Sequence, residues 1–263
     1  MKLRRRLWII SMCVVLVWYG DMVYAQKDEN FYEVCDKGQM CRQMIDVLRT
    51  RQAEVTWYYP GIYVDMLQYK KRGYVDLYED MSKIDAYVVG GVESIRISYA
   101  VREDAPVTFR IQYRTTLQQE NYVSRRVRRL TKRIRTRSAY RRVRWAKDYL
   151  VQYMQYDRRY DTAYDAFRKR RGNCMAYSYA FLRLMQELEV PCAYVSSEHH
   201  AWNMVKLKNR WYYVDVTWED TIRRDTYFLK GKNDFPGHRR VQRGLPEKRK
   251  IAQRRYIYKA MCK

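Results

Sequence analysis

The chain has 263 residues, with 53 lysines and arginines against 29 aspartates and glutamates, three histidines and a formal net charge of +24. That length can bury one sizeable core, or a core with a small N-terminal lobe. There is no internal repeat, low-complexity linker or clean domain break, and no stretch beyond the first 25 residues could cross a bilayer.

Lys2, Arg4, Arg5 and Arg6 open the chain, an apolar run from Leu7 to Tyr19 follows, and Val23-Tyr24-Ala25 offers a small residue before Gln26. This is the grammar of a cleaved export signal over residues 1–25, so the expected location is secreted or cell-envelope. Without the leader the net charge is about +21. Residues 26–115 form a second region. A helix is expected near Met40–Arg49, and from Glu54 to Tyr113 the chain is rich in Val, Ile and Tyr. Alternating stretches such as Ser94–Tyr99 and Val107–Ile111 read as half-buried strands, so this region is expected to be strand-rich.

Residues 116–263 make the third region. Helices are expected around Leu117–Arg135, Ser138–Gln155 and Thr162–Lys169. In the first, Val123, Val127, Leu130 and Ile134 recur on one face while arginines occupy the others. A helix from Cys174 to Leu188 follows, then strands over Cys192–Ser196, Ala201–Leu207 and Trp211–Val216, with Lys208-Asn209-Arg210 as a turn. Beyond Lys230 the pattern weakens, and Pro236-Gly237 and Gly244-Leu245-Pro246 punctuate it.

The chemistry gathers in three short wordings. Cys174 lies in Arg171-Gly172-Asn173-Cys174-Met175-Ala176-Tyr177, His200 opens His200-Ala201-Trp202-Asn203-Met204-Val205, and Asp215 closes Trp211-Tyr212-Tyr213-Val214-Asp215 before Val216-Thr217-Trp218. A thiol, an imidazole and a carboxylate are the parts of an activated cysteine nucleophile. Asn173 is a good N-cap, which puts Cys174 in a first helical turn where orphan amides and the helix dipole favour a thiolate. The Cys174 amide is then a candidate oxyanion donor. His200 begins a strand and Asp215 ends its hairpin partner, so antiparallel pairing brings them side by side. His199 and His238 are the other histidines; His199 points to the opposite strand face from His200.

Each residue alone has an ordinary explanation: a small helix-start filler, a capped core histidine, a strand-end acid. Jointly they read as a catalytic set of Cys174, His200 and Asp215. Trp202, Trp211 and Trp218 are expected in the core or the pocket wall, and Asn203 in a structural role.

Gly172-Asn173-Cys174, His200-Ala201-Trp202-Asn203 and Tyr213-Val214-Asp215-Val216-Thr217-Trp218 together resemble the core of the transglutaminase-like cysteine superfamily, in its secreted bacterial branch. The resemblance extends upstream through Tyr156-Asp157 and Ala163–Phe167, and downstream to Tyr227-Phe228-Leu229. It implies an α+β, papain-like core in which a nucleophile-bearing helix packs on an antiparallel sheet. It also implies that the cysteine attacks an amide or acyl carbonyl, the histidine moves the proton and the aspartate orients the histidine. Two positions depart from the pattern: Ala176 stands where glycine is usual, and Glu189 replaces the glycine that ends the cysteine helix. A residue there is often left-handed, which costs a non-glycine about 1 kcal/mol.

Leaving aside Cys13 in the leader, five cysteines remain: Cys35, Cys41, Cys174, Cys192 and Cys262. An odd number in an oxidising compartment leaves a free thiol. A local Cys35–Cys41 bridge is expected, with Cys192–Cys262 as a further pairing; the alternative is that all are reduced. Paired CxxC spacings and clustered histidines are missing, so no metal or other cofactor is expected.

The expected activity is a peptidase or amidase if water takes the acyl group, and a cross-linking transferase if an amine does. The expected substrate is a surface protein or wall peptide. The charge suggests anionic cell-surface polymers as further partners, and the opposing class is a silent binding module that docks on them. The 27 tyrosines are spread along the chain with no RNA-binding signature, so nucleic acid is not expected as the main partner.

Overall fold

A computed structural model describes residues 30–102, 105–222, 224–238, 246 and 250–258. The export signal, Cys13 and Cys262 lie outside the described residues. Among those described, no helix is long and apolar enough to cross a membrane.

The chain begins with strand β1 (Phe31–Glu33) and helix α1 (Lys37–Thr50). Asp36 starts this helix by accepting from the Gln39 amide at 2.7 Å, and the Gln39 side chain returns a bond from the Cys35 amide at 2.8 Å. Met40, Met44, Ile45 and Leu48 then bury one face. Next come β2 (Glu54–Tyr58), α2 (Ile62–Lys71), α3 (Val75–Gly90), β3 (Val92–Tyr99) and β4 (Val107–Tyr113). The sheet runs β1-β2-β4-β3, parallel between β1 and β2 and antiparallel elsewhere. Alternation sends Val55, Trp57, Val107 and Phe109 into the core beneath it.

Strands occupy the alternating stretches as expected, but α2 and α3 fill ground that reads as strand in the sequence. Neither helix has a side-chain cap: Gly61 and Tyr74 precede them in left-handed conformation. Their Tyr and Val content favours strands locally, so tertiary packing of Ile62, Met66, Leu77 and Met81 decides the outcome. Helix α3 is kinked at Asp85, whose carboxylate accepts the amides of Tyr87 and Val88 and so restarts the helix.

The second half contains α4 (Leu117–Thr131), α5 (Ala139–Tyr153), β5 (Gln155–Tyr156), α6 (Ala163–Lys169), β6 (Arg171–Gly172), α7 (Cys174–Glu187), β7 (Cys192–Ser196), β8 (Ala201–Leu207), β9 (Arg210–Val214) and α8 (Val216–Ile222). A 3-10 turn follows at Lys232–Asp234. The strands β7-β8-β9 form an antiparallel sheet, and Lys208 and Asn209, both with positive φ, make the tight turn between β8 and β9. Helix α7 packs between β8 and the layer of α4, α5 and α6. Such a position explains its apolar circumference: Ala176, Tyr177, Ala180, Phe181, Leu184 and Met185 are all fully buried. On α4, Val123 and Val127 are buried as the spacing predicts, and Leu130 and Ile134 pack on the same core from its edge. The architecture is α+β, with the cysteine-bearing helix on an antiparallel sheet.

The buried hydrophobic residues form two large clusters, within residues 34–111 and 123–229, and a smaller third one of Val195, Trp202, Met204, Tyr213, Phe235 and Ile251. Polar bridges and close packing join the first two. Arg51 holds the Thr115 carbonyl at 3.1 Å and Glu120 at 3.0 Å, and Gln186 of α7 donates to Asp85 at 2.9 Å. A Cβ on Gly90 would lie 2.2 Å from the Tyr179 ring, so only glycine admits that approach.

The expected Cys35–Cys41 bridge is not formed. Cys41 turns into the core of α1 beside Tyr69, where burial pushes its thiol up to about 11, while Cys35 stays exposed before the helix. Cys192 is also a free thiol.

Candidate active site

Cys174 opens α7 as the sequence predicts. The Asn173 side chain accepts from the Met175 amide at 2.9 Å and the Ala176 amide at 3.3 Å, and the Asn173 amide is fixed on the Tyr160 carbonyl at 2.7 Å. Two of the orphan amides of the first turn are thereby used, which leaves the Cys174 amide free to serve as a donor. The strand before the cysteine is packed tightly: a Cβ on Gly172 would lie 2.3 Å from the Ala176 Cβ. Gly172 is therefore required by Ala176, the residue that departs from the family pattern. Glu189 also departs from it and adopts φ 55°, the left-handed conformation expected of a residue just past the helix.

The β8–β9 register pairs Asn203 with Val214, which brings the residue before β8 close to the residue after β9. His200 and Asp215 occupy those two places, and His200 Nε2 meets Asp215 Oδ2 at 2.6 Å. Cys174 lies near enough to influence the His200 ring, and with Nε2 held by Asp215 the ring nitrogen not used by the carboxylate is Nδ1. Burial alone pulls the His200 imidazole down. Hydrogen bonds to Asp215 and Cys174, with the charge of both, outweigh burial and lift it to about 9. Trp218 stacks on the His200 ring with centroids 4.9 Å apart and shields it from water on that side.

Asp215 is fully buried. Burial pushes its carboxyl up, but hydrogen bonds from His200 and His238, the His200 charge and the Trp218 amide hold it below the usual carboxylate range. Its Oδ1 accepts from the Trp218 amide at 3.0 Å, so Asp215 is also the cap of α8. The sequence reading takes Val216 as strand; the chain instead turns into helix at that residue.

The other expected residues sort clearly. His199 is 76 % exposed and faces Glu198 at 3.8 Å, on the solvent side away from the sulfur. Asn203 is structural: its side-chain amide donates to the Ser178 carbonyl at 3.2 Å and ties the sheet to α7. Trp202 is fully buried beside His200, and Trp211 packs at the edge of the core.

His238 is the residue that sequence reasoning passed over. Its Nε2 also meets Asp215 Oδ2, at 2.9 Å, and its ring is buried. The only signal in the sequence is that it is one of three histidines. Its loop has no periodicity to place it.

His200, Asp215 and His238 are the one trio of this kind among the described residues, with ligand-type atoms all within 4.8 Å. Ligands sharing a tetrahedral zinc stand about 3.3 Å apart, given bonds of 2.0–2.1 Å. The contacts of 2.6 and 2.9 Å are those of two rings hydrogen-bonded to one carboxylate oxygen.

A thiol at a helix start, an imidazole against it and a buried carboxylate behind the imidazole can carry out nucleophilic attack with proton transfer. Residues 112–216, which include all three groups, match the transglutaminase-like superfamily. No curated protein matches the chain. Among solved structures, a candidate cysteine protease from Cytophaga hutchinsonii is similar at 12% identity and TM-score 0.33, over 47% of this chain and 62% of that one. A transglutaminase structure is similar at 12% identity and TM-score 0.32, over 52% of this chain and 47% of that one. The chain thus spans less than two thirds of either neighbour. The likeness to the transglutaminase-like superfamily thus spans residues 112–216, less than half of the chain.

Proposed function

We propose that the protein is an exported cysteine-dependent enzyme that cleaves or transfers at amide bonds, with Cys174 as nucleophile, His200 as general acid and base, and Asp215 as the group that orients His200. The observation that supports this reading is the 2.6 Å bond from His200 to the buried Asp215, with Cys174 at the start of α7 close enough to influence the same ring.

In the first step the Cys174 sulfur adds to the substrate carbonyl, and the oxyanion faces the Cys174 amide at the positive end of α7. As the carbonyl re-forms, the C–N bond breaks and the departing nitrogen takes the proton from His200. The acyl group remains on sulfur as a thioester. In the second step His200 removes a proton from water or from an amine, which attacks the thioester and restores the thiolate. Water gives hydrolysis and an amine gives transfer; we favour hydrolysis of a surface protein or wall peptide. Throughout, Asp215 stabilises the His200 cation and holds Nδ1 toward the sulfur.

Peptides ending in glutamine amides, incubated with the protein and followed by intact mass, test the proposal. A thioester adduct on Cys174 that is absent from Cys174→Ala supports it. Adding a primary amine probe then separates transfer from hydrolysis. An unreactive parent protein that resembles Cys174→Ala would contradict it.

A second reading has one observation in its favour. Arg125, Arg128, Arg129, Lys132 and Arg133 stand exposed on α4 and the turn after it. In that reading the protein docks on anionic cell-surface polymers and performs no chemistry. Salt-sensitive polymer binding by a chemically inert thiol would favour it.

A further inference from the structure

His200 and His238 approach the same oxygen of Asp215 from two sides. For His200 the second ring nitrogen serves the sulfur. For His238 it is committed to the backbone: Nδ1 lies 2.8 Å from the Pro236 carbonyl oxygen, which can only accept. Its Nε2 faces a carboxylate that also only accepts. Each nitrogen of His238 therefore faces an oxygen that accepts, an arrangement satisfied when both nitrogens carry protons.

The segment around it is built to hold that ring. Phe235 stacks on His238 with centroids 3.8 Å apart, and itself stacks on Tyr213 of β9 at 4.7 Å. Trp202 meets the ring nearly at right angles at 4.7 Å, and Trp218 lies 4.3 Å away. Gly237 takes φ 79°, and a Cβ there would lie 2.7 Å from Trp218. The loop can pass that indole only at a glycine, one residue before the histidine. An ordinary core histidine does not need a carboxylate, a carbonyl and an aromatic clamp at once.

We infer that His238 is a positioning residue of the site: it clamps Asp215 in the orientation that reaches His200 and offsets part of its charge, giving an alternating series of Cys174, His200, Asp215 and His238. This rests on the Cys174 reading above. A lone buried carboxylate would bind the His200 proton too firmly for return to a leaving group, whereas a second cation on the same oxygen loosens that hold. Among the described residues, the charged or titratable groups near the pair include Cys174 from α7, His200 before β8, Asp215 after β9 and Tyr227, whose ring is 5.7 Å from His238.

The test uses iodoacetate alkylation of Cys174 across pH in the parent, His238→Gln and His238→Leu, with 15N-histidine NMR of the parent. Iodoacetate is an anion, so its rate falls on the alkaline side as His200 loses its proton. His238→Gln keeps a donor to Asp215 and removes the charge. Its alkaline limb is expected to move up by about half to one pH unit, with the maximal rate within about threefold of the parent. His238→Leu loses the clamp, and its rate is expected to fall about tenfold or more. NMR of the parent is expected to show one histidine with both nitrogens protonated at neutral pH and slow to exchange. A His238→Gln profile that superimposes on the parent overturns the inference, as does a singly protonated His238 in the NMR spectrum, which needs no variant to fold. Failure of the Cys174 reading looks different: the parent itself would not react, whereas the NMR result would stand.

Discussion

Asp215 holds His200 at 2.6 Å through one carboxylate oxygen while its other oxygen starts helix α8 on the Trp218 amide at 3.0 Å. Asp215 thus both holds His200 and caps α8, so the turn after β9 and the proposed catalytic site share one side chain. An amide in its place can keep the cap but cannot be an anion behind His200. Asp215→Asn is expected to reduce Cys174 reactivity by roughly 10³-fold at neutral pH while the fold persists. Alkylation kinetics alongside circular dichroism check this, and a variant that alkylates at the parent rate would exclude the orienting role.

The His200 imidazole is raised to about 9 in the fold, above its usual value. A raised base contributes stability that is fully present below the unfolded value of about 6.5 and is lost as pH rises through the folded value. Urea unfolding between pH 6.5 and 9.5 is therefore expected to show falling stability for the parent and a flatter profile for His200→Gln. Parallel profiles would remove the linkage.

Gly172 and Ala176 test the packing behind the nucleophile. With a Cβ predicted only 2.3 Å from the Ala176 Cβ and 3.2 Å from Met154 Cε, Gly172→Ala is expected to cost about 1–3 kcal/mol. Restoring space with Ala176→Gly in the same chain should recover much of that, and a thermodynamic cycle from urea melts measures the coupling. Additive effects would show that the two positions do not compete for volume.

Glu189 carries a left-handed backbone with an exposed side chain. Glu189→Gly is expected to stabilise the protein by about 1 kcal/mol, or to leave it unchanged once the added freedom of the unfolded glycine is counted. Thermal melting reads the result; a clear loss of stability would mean the glutamate side chain makes a contact that matters.

Much of the second half was legible because local and global signals agree there. Asn173 before an apolar helix, the positive-φ pair Lys208-Asn209 between two alternating runs, and the motif around His200 each point to one structure. The register of β8 on β9 then follows from a two-residue turn, and with it the meeting of His200 and Asp215. Helix α8 was also readable in principle: Asp215 is a favoured N-cap residue and Glu219 puts an acid in the first turn, signals that the strand-like residues outweighed.

Other features had no local signal. The helices α2 and α3 lack side-chain caps and hold strand-favouring residues, so tertiary packing determines them, with α3 chiefly against α1 and Ile62, Met66, Leu77 and Met81 buried. The odd cysteine count says nothing of direction, and α1 turns Cys41 inward away from Cys35. His238 reaches the site through an irregular loop, where the contact with Asp215 spans 23 residues and is set by Phe235, Gly237 and Trp218 together.

The most direct measurement is the pH dependence of iodoacetamide alkylation at Cys174 in the folded protein, read by peptide mass spectrometry, beside His200→Ala. An activated nucleophile should alkylate faster at neutral pH than an ordinary cysteine, and His200→Ala should lose that reactivity. A thiol that titrates as an ordinary cysteine, with the same profile in both proteins, would contradict the catalytic reading of Cys174, His200 and Asp215.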